Sequence, residues 1–248
     1  MEWRVIKLEM HDAYQNMAVD NALVDSVKSG MSAPTMRFYR WKPSAVSIGS
    51  FQSMRDEVNV DKCKELGVSC VRRLTGGGAV YHDTEGEITY SVIAPEKLFP
   101  KNIIESYKTI CGWIIDGLSL VGVHAEFAPI NDVVVSGKKV SGNAQTRRDG
   151  VLLQHGTVLY KTDVSKMFSL LNVSKEKISD KAIKSVEERV AGVSAYADIG
   201  IEQLYESLLK GFLAGKDFEF DTLTEEEASE ADRLSIDVYS TDSWNFSR

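Results

Sequence analysis

The chain is poor in the residues that staple or punctuate a fold. Three cysteines, Cys63, Cys70 and Cys111, are scattered over 248 residues. They form no CxxC pair and no metal-ligand spacing, which excludes a disulfide scaffold or a zinc ribbon. Cys70 and Cys111 sit in apolar runs and read as core residues, so a reducing, cytoplasmic setting is expected. With five prolines there is no Pro/Ser linker, and no internal repeat or low-complexity stretch occurs. No apolar run approaches the roughly 18 residues of a spanning helix. The start MEWRVIKLEM is charged throughout and carries no signal region. A membrane partner is therefore not expected. Basic residues are also short: 29 Lys and Arg against 36 Asp and Glu, a net charge of −7. That balance argues against a general nucleic-acid binder. Missing too are the GxGxxG and GxxxxGK[ST] loops that open nucleotide-binding helices, and a nucleophile-elbow serine.

What is present is a sizeable apolar fraction, 43%, in patterns of both periods. Residues 2–8, 35–40 and 45–48 read as strands, and 16–28 as a helix ending before Gly30. A helix over 60–66 closes at Gly67. A strand over 68–73 then enters three consecutive glycines. Strands over 79–82 and 87–94 flank the turn 83–86. The clearest helix spans 102–120, with Ile103, Ile104, Tyr107, Ile110, Cys111, Ile114, Ile115 and Leu118 on one broad face. An antiparallel meander follows over 133–135, 139–146 and 151–159. Later signals are helical: 164–171, 174–190, 201–212 and 224–233. Strands in runs, with helices before and after, predict an α+β fold on a mixed or antiparallel sheet. The expected organisation is one catalytic domain over 1–248, with a small helical tail from about 200.

The run Arg72-Arg73-Leu74-Thr75-Gly76-Gly77-Gly78-Ala79-Val80-Tyr81-His82-Asp83 carries the strongest chemical signal. Three adjacent glycines cost backbone entropy and imply unusual torsions or close approach of another group. With Arg and Thr alongside, backbone N–H groups can form an anion nest. A tight bend or bulge in a sheet is the competing reading. His82 and His155 lie in strand-like runs and lack metal-site spacing, so each reads as a hydrogen-bonded structural residue or as a site residue. Lys138 and Lys139 are adjacent in a strand and point to opposite faces, so only one can face a site.

Four motifs in order then resemble the lipoate–protein ligase A family, of the form lacking a C-terminal accessory domain, over essentially the whole chain. Residues 72–83 resemble its signature loop, and Asn131-Asp132 its Asn-Asp pair. Gly137-Lys138-Lys139-Val140-Ser141-Gly142-Asn143-Ala144 resembles the strand carrying its lysine, which falls on Lys139. Gln154-His155-Gly156-Thr157-Val158-Leu159 is similar to its His-Gly strand. The resemblance implies the biotin/lipoate-ligase-like fold. It also implies ATP-dependent activation of lipoate to lipoyl-AMP, followed by transfer to a lysine of a lipoyl-carrier domain. Such carriers are 2-oxoacid dehydrogenase E2 subunits or a glycine cleavage H protein. ATP and Mg²⁺ would be cofactors. Lys139 would bridge the carboxylate and the α-phosphate, as a compact movable charge. Arg72, Thr75, Gly76, Gly77, Gly78, Ala79, His82, Asn131, Asp132, Gly142, Ala144 and His155 would bind substrate and adenylate. Asp132 would lie near the magnesium.

Two departures qualify this resemblance. Thr89-Tyr90 replaces an Asn-Phe frequent in the ligases. That stretch, with residues 142–147 and 154–156, looks closer to a related branch, the octanoyltransferases. These move octanoyl from an acyl carrier protein through a cysteine thioester. The matching segment here, residues 125–132, has no cysteine, so the thiol nucleophile is lacking and the ligase is the expectation. The accessory domain is also absent, and a separate small polypeptide is expected to supply it.

Overall fold

A computed structural model of the chain describes residues 2–172, 185 and 188–248. The expected helix over 174–190 lies almost wholly outside the described residues. Among the described residues eleven strands are formed: β1 (Glu2–His11), β2 (Thr35–Trp41), β3 (Ala45–Ile48), β4 (Ser69–Arg72), β5 (Val80–His82), β6 (Glu87–Pro95), β7 (Glu126–Ala128), β8 (Asp132–Val135), β9 (Lys138–Arg148), β10 (Val151–Leu159) and β11 (Asp217–Asp221). Eight build one sheet in the order β11-β1-β2-β6-β10-β9-β8-β7, and three build a second in the order β4-β3-β5. The large sheet is mixed: β11, β1 and β2 are parallel, and the rest are antiparallel. The expected α+β class is observed. The expected strands over 79–82 and 87–94 do not pair with each other. They belong to different sheets, and the turn between them carries the chain from the small sheet to the large one.

The large sheet is covered on both sides, so its central strands are buried throughout despite alternating chemistry. On one side, Met36, Phe38, Ile88, Tyr90, Val92 and Leu152 pack under the helices Ile103–Ser119 and Ile201–Leu213. The other side presents Arg37, Tyr39 and Trp41 of β2, Glu87, Thr89 and Ser91 of β6, and His155 and Thr157 of β10, all buried. In most sheets such a polar row would face water. Here the helix Ala13–Ser29 and the small sheet lie over it, and every polar group needs a protein partner. The helix starts at Asp12, whose carboxylate accepts from Gln15 N at 2.8 Å, and stops at Gly30 in the left-handed region. Its inner face is not purely apolar: Asn16 and Asp20 are buried beside Met17 and Leu23.

The meander is set by its turns. Ser136 and Gly137 have φ of 50° and 75°, and Asp149 and Gly150 of 54° and 82°. Two positive φ values in succession fit a tight hairpin to the right-handed twist of its strands. β9 and β10 are thereby locked in register, with Gly156 opposite Asn143 and His155 opposite Ala144.

Candidate active site

β4 delivers Arg72 and Arg73 to the glycine loop, and strand alternation sends their side chains opposite ways. Arg72 turns away from the sheet interior. Among the described residues its guanidinium donates to main-chain carbonyls: Gly49, Ser50, Gln52, Trp244 and Asn245. Burial pushes its pKa down. Arg73 turns inward and reaches Thr75 Oγ1 at 3.1 Å, Ser47 at 3.2 Å, Gly76 O at 2.7 Å and Gly78 O at 2.8 Å. Burial pushes its pKa down to about 10. The loop it clasps folds tightly over β3. A Cβ at Gly49 would collide with Gly77 O, and Gly77 itself has φ of 98°. Both positions therefore require glycine.

Beneath the loop lies a cavity of about 280 Å³. It is lined by Gly77, Gly78, Ala79 and His82 from the loop and the strand after it, by Asn131, Lys139, Gly142 and Ala144 from the lysine strand and the turn before it, and by Met17, Tyr39, Trp41, Thr89 and His155. Trp41 stacks on His82 at 4.0 Å between ring centroids, and its Nε1–H donates to Thr89 at 2.8 Å. His82 is held by Glu87 through Nδ1 at 2.7 Å and by Ser47 through Nε2 at 2.8 Å. His155 meets Asp20 through Nδ1 at 3.0 Å and Thr75 through Nε2 at 2.6 Å. Burial is the strongest influence on the His155 imidazole and pushes its pKa down, against the pull of Asp20. Asp20 stays below the usual carboxylate range in spite of burial. Its hydrogen bond from His155, the Arg37 charge at 2.9 Å and the Ser91 hydroxyl offset that burial.

Across the cavity Lys139 pairs with Asp132 at 2.8 Å, and both side chains are about a third exposed, at 39% and 32%. Gly142 leaves room for this lysine, since a Cβ there would stand 2.6 Å from Lys139 Cε. Asn131 and Asn143 lock the preceding loop to β9. Asn143 Nδ2 donates to Asn131 O at 2.8 Å, and Asn131 Nδ2 donates back to Asn143 O. Asn143 lies across Gly156, where a Cβ would collide with its amide oxygen.

Most of the residues expected at the site therefore meet around one cavity: Gly77, Gly78, Ala79, His82, Asn131, Lys139, Gly142, Ala144 and His155. Arg72, Thr75, Gly76 and Asp132 do not line it. Arg72 is committed to the C-terminal segment, and Thr75 is fully buried behind the loop. Asp132 is committed to Lys139. Among the described residues no group of three or more His, Cys, Asp or Glu could hold a metal, and no helix is long and apolar enough to cross a membrane. Reading the sequence missed Asp20, Arg37, Glu87 and Asn143. The one available signal was a polar residue on the inner stripe of a helix or alternating through a buried strand. No cysteine lines the cavity. Cys111 lies behind Asn143, 3.4 Å from its Nδ2, and burial pushes its thiol up to about 12.

A mixed sheet with a glycine loop and a lysine strand around one mostly apolar slot defines a catalytic domain of the biotin/lipoate-ligase-like superfamily. The chain belongs to the lipoyl protein ligase A/B catalytic domain family, which matches residues 12–213. It is 36% identical to octanoyltransferase LipM of Brevibacillus brevis, over 100% of this chain and 99% of that protein. Among solved structures it is similar to a bi-partite lipoate protein ligase of Thermoplasma acidophilum, studied with its E2 lipoyl domain. The TM-score is 0.90 and the identity 35%, covering 99% of this chain and 96% of that one. A lipoate-protein ligase A bound with ATP gives a TM-score of 0.84 at 32% identity, covering 99% of each chain.

These relatives correct one expectation. The motifs imply the ligase A family and ATP-dependent lipoate activation. Yet relatives at 33–36% identity, most of them matched almost end to end, repeatedly carry the octanoyltransferase name. The glycine loop and lysine strand belong to a catalytic domain shared by the A and B branches, so they cannot separate the two. The absence of a cysteine at residues 125–132 does not set the chain apart from these octanoyltransferases, which residues 142–147 and 154–156 resemble.

Proposed function

We propose that the protein is an octanoyltransferase: it moves a medium-chain acyl group from a carrier thioester to a lysine of a lipoyl-carrier domain. The observation that carries this reading is the mostly apolar slot under the glycine loop with Lys139 in its lining, in a chain whose near full-length relatives bear that name. The slot suits an unbranched acyl tail, each buried methylene contributing about 0.8 kcal/mol. The thioester carbonyl then lies between Lys139 and the loop amides.

With no thiol at the cavity, the transfer is direct. The acceptor amine attacks the thioester carbonyl, its oxygen becomes an oxyanion, and the C–S bond breaks as the amide forms. The amine's proton leaves with the thiol. Lys139 Nζ and the amides of Gly77 and Gly78 are the groups that would stabilise the oxyanion. Asp132 pairs with the Lys139 ammonium at 2.8 Å and holds it beside the cavity. Ala79, His82, Asn131, Gly142, Ala144 and His155 shape the slot, while Thr75 and Gly76 support the loop.

The fold binds nucleotide in other members, and the same Lys139 and loop amides are the groups here that would meet a phosphate of ATP. ATP would supply a phosphoanhydride for carboxylate activation. A magnesium ion there would have Asp132 as its nearest carboxylate and would draw its other oxygens from phosphate and water. A separate small accessory polypeptide belongs to this reading, supported by the bi-partite neighbour, as does a cytoplasmic setting, supported by three free thiols.

The test supplies the purified protein, with a lipoyl-carrier domain, either octanoyl-carrier thioester or octanoate with ATP and Mg²⁺. Turnover of the thioester without ATP is expected. A strict requirement for ATP with inert thioester overturns the reading. Acyl-enzyme trapped by mass spectrometry overturns the direct route alone.

A further inference from the structure

Arg73 spends all five of its N–H groups inside the protein. Nε donates to Thr75 Oγ1, Nη1 to the carbonyl and hydroxyl of Ser47, and Nη2 to Gly76 O and Gly78 O. None is left for a substrate. Among the described residues no carboxylate pairs with it directly, although Arg73 is only 5% exposed.

Its two hydroxyl partners have matching surroundings. Thr75 Oγ1 is 2.6 Å from His155 Nε2, and His155 Nδ1 is 3.0 Å from Asp20 Oδ2. Ser47 Oγ is 2.8 Å from His82 Nε2, and His82 Nδ1 is 2.7 Å from Glu87 Oε1. An ionised carboxylate only accepts, so each Nδ1 carries the proton in the neutral ring. Each Nε2 then accepts from its hydroxyl. Each hydroxyl oxygen is thereby turned to accept from Arg73. Two carboxylate–imidazole–hydroxyl relays, begun on the first helix and on β6, converge on opposite edges of one guanidinium. The guanidinium's free edge sets two of the three glycine carbonyls. Space under it is also reserved: a Cβ on Gly77 would stand 2.8 Å from Arg73 Nη2.

We propose that Asp20 and Glu87 are paired positioning residues for the glycine loop, acting through His155–Thr75 and His82–Ser47 on Arg73. The catalytic consequence rests on the octanoyl-transfer reading, in which loop amides hold the reacting carbonyl; the positioning itself does not. Fixing the carbonyls of Gly76 and Gly78 fixes the peptide planes that also carry the Gly77 and Ala79 N–H groups, so these are set before any substrate arrives, which is the preorganisation that such a loop needs.

¹⁵N NMR of the unliganded protein tests the positioning without any assay. Each imidazole in its neutral form is expected as the Nδ1–H tautomer. Gly76, Gly77 and Gly78 are expected to give one sharp set of amide signals. Thr75→Val and Ser47→Ala should broaden or multiply those signals, with the largest effect when combined. Thr75→Ser, which keeps the hydroxyl, should restore the single set. In the transfer assay Thr75→Val should lower kcat/KM by about a hundredfold, through kcat more than KM, again with rescue by serine. Nε2–H tautomers in the unmodified protein, or unchanged glycine signals in the double variant, overturn the proposal whatever the activity. Sharp signals that respond as expected uphold the positioning even if octanoyl transfer is not found, so the two readings fail separately.

Discussion

Arg73 and Lys139 line one cavity and are held in opposite ways. Arg73 is 5% exposed and has five donated hydrogen bonds. Lys139 is 39% exposed in its side chain and touches one carboxylate, Asp132. The glycine-loop side is therefore rigid before substrate arrives. The lysine side can move with the substrate, as a compact charge on a flexible stem does. The difference separates two demands on the site, fixed geometry at the carbonyl and a charge that follows the reaction.

Substitutions on the two sides should fail differently. Lys139→Ala should lower the transfer rate about a hundred- to a thousandfold, the usual range for loss of an oxyanion-stabilising group. Its thermal midpoint should stay near that of the unmodified protein, because the Lys139–Asp132 pair is about a third exposed and weak. Calorimetry beside the assay checks both halves of this expectation. Arg73→Lys should do the reverse and lower stability together with rate. An ammonium cannot span Thr75, Ser47 and two carbonyls, and each unmade bond from a charged donor costs about 1.5–3 kcal/mol. Urea unfolding reads this loss. A thermal midpoint that falls for Lys139→Ala and not for Arg73→Lys would erase the contrast.

Gly49→Ala should be milder, costing about 1–3 kcal/mol, as overpacking usually does. Its Cβ would press on Gly77 O and lift the loop, so the rate should fall with stability. Acid should act on the rigid side first. Burial holds His155 below its ordinary pKa of 6.5, so the unfolded chain binds this proton more tightly than the native one. That stability is complete above about pH 6.5 and is lost as pH falls below it. A second decline should follow below pH 4.5. There Glu227, in spite of burial, is held down to about 2 by Arg4, Ser32 and the Thr224 amide. Unfolding followed from neutral to acid pH should show both declines. A Thr75→Val protein should start lower and fall less in the first.

Much of the lysine side was legible beforehand. Ser136-Gly137 and Asp149-Gly150 announce tight turns, and the strands between them alternate cleanly, so the meander and the place of Lys139 follow from local chemistry. The glycine loop was legible as a loop and not as a network. Asp20 looks like any polar residue in a helix, and Glu87, Thr89 and Ser91 look like the wet face of a strand. Their burial comes from a helix and a small sheet laid over them, a tertiary fact with no local signature. Arg72 and Arg73 could be told apart only in principle: alternation requires opposite directions without saying which goes inward. β11, with the sequence Asp-Phe-Glu-Phe-Asp, was missed because charged residues dominate it. As an exposed edge strand it is protected by those charges.

The contacts of Arg72 have a consequence for the order of synthesis. Its amide, carbonyl and guanidinium are all engaged by Trp244 and Asn245, 172 and 173 residues further along the chain. A ribosome-bound chain that has already made the glycine loop, the lysine strand and every residue lining the cavity still lacks the groups that anchor the strand leading into that loop. The strand that enters the glycine loop therefore gains its anchor only after residues 244 and 245 have been made.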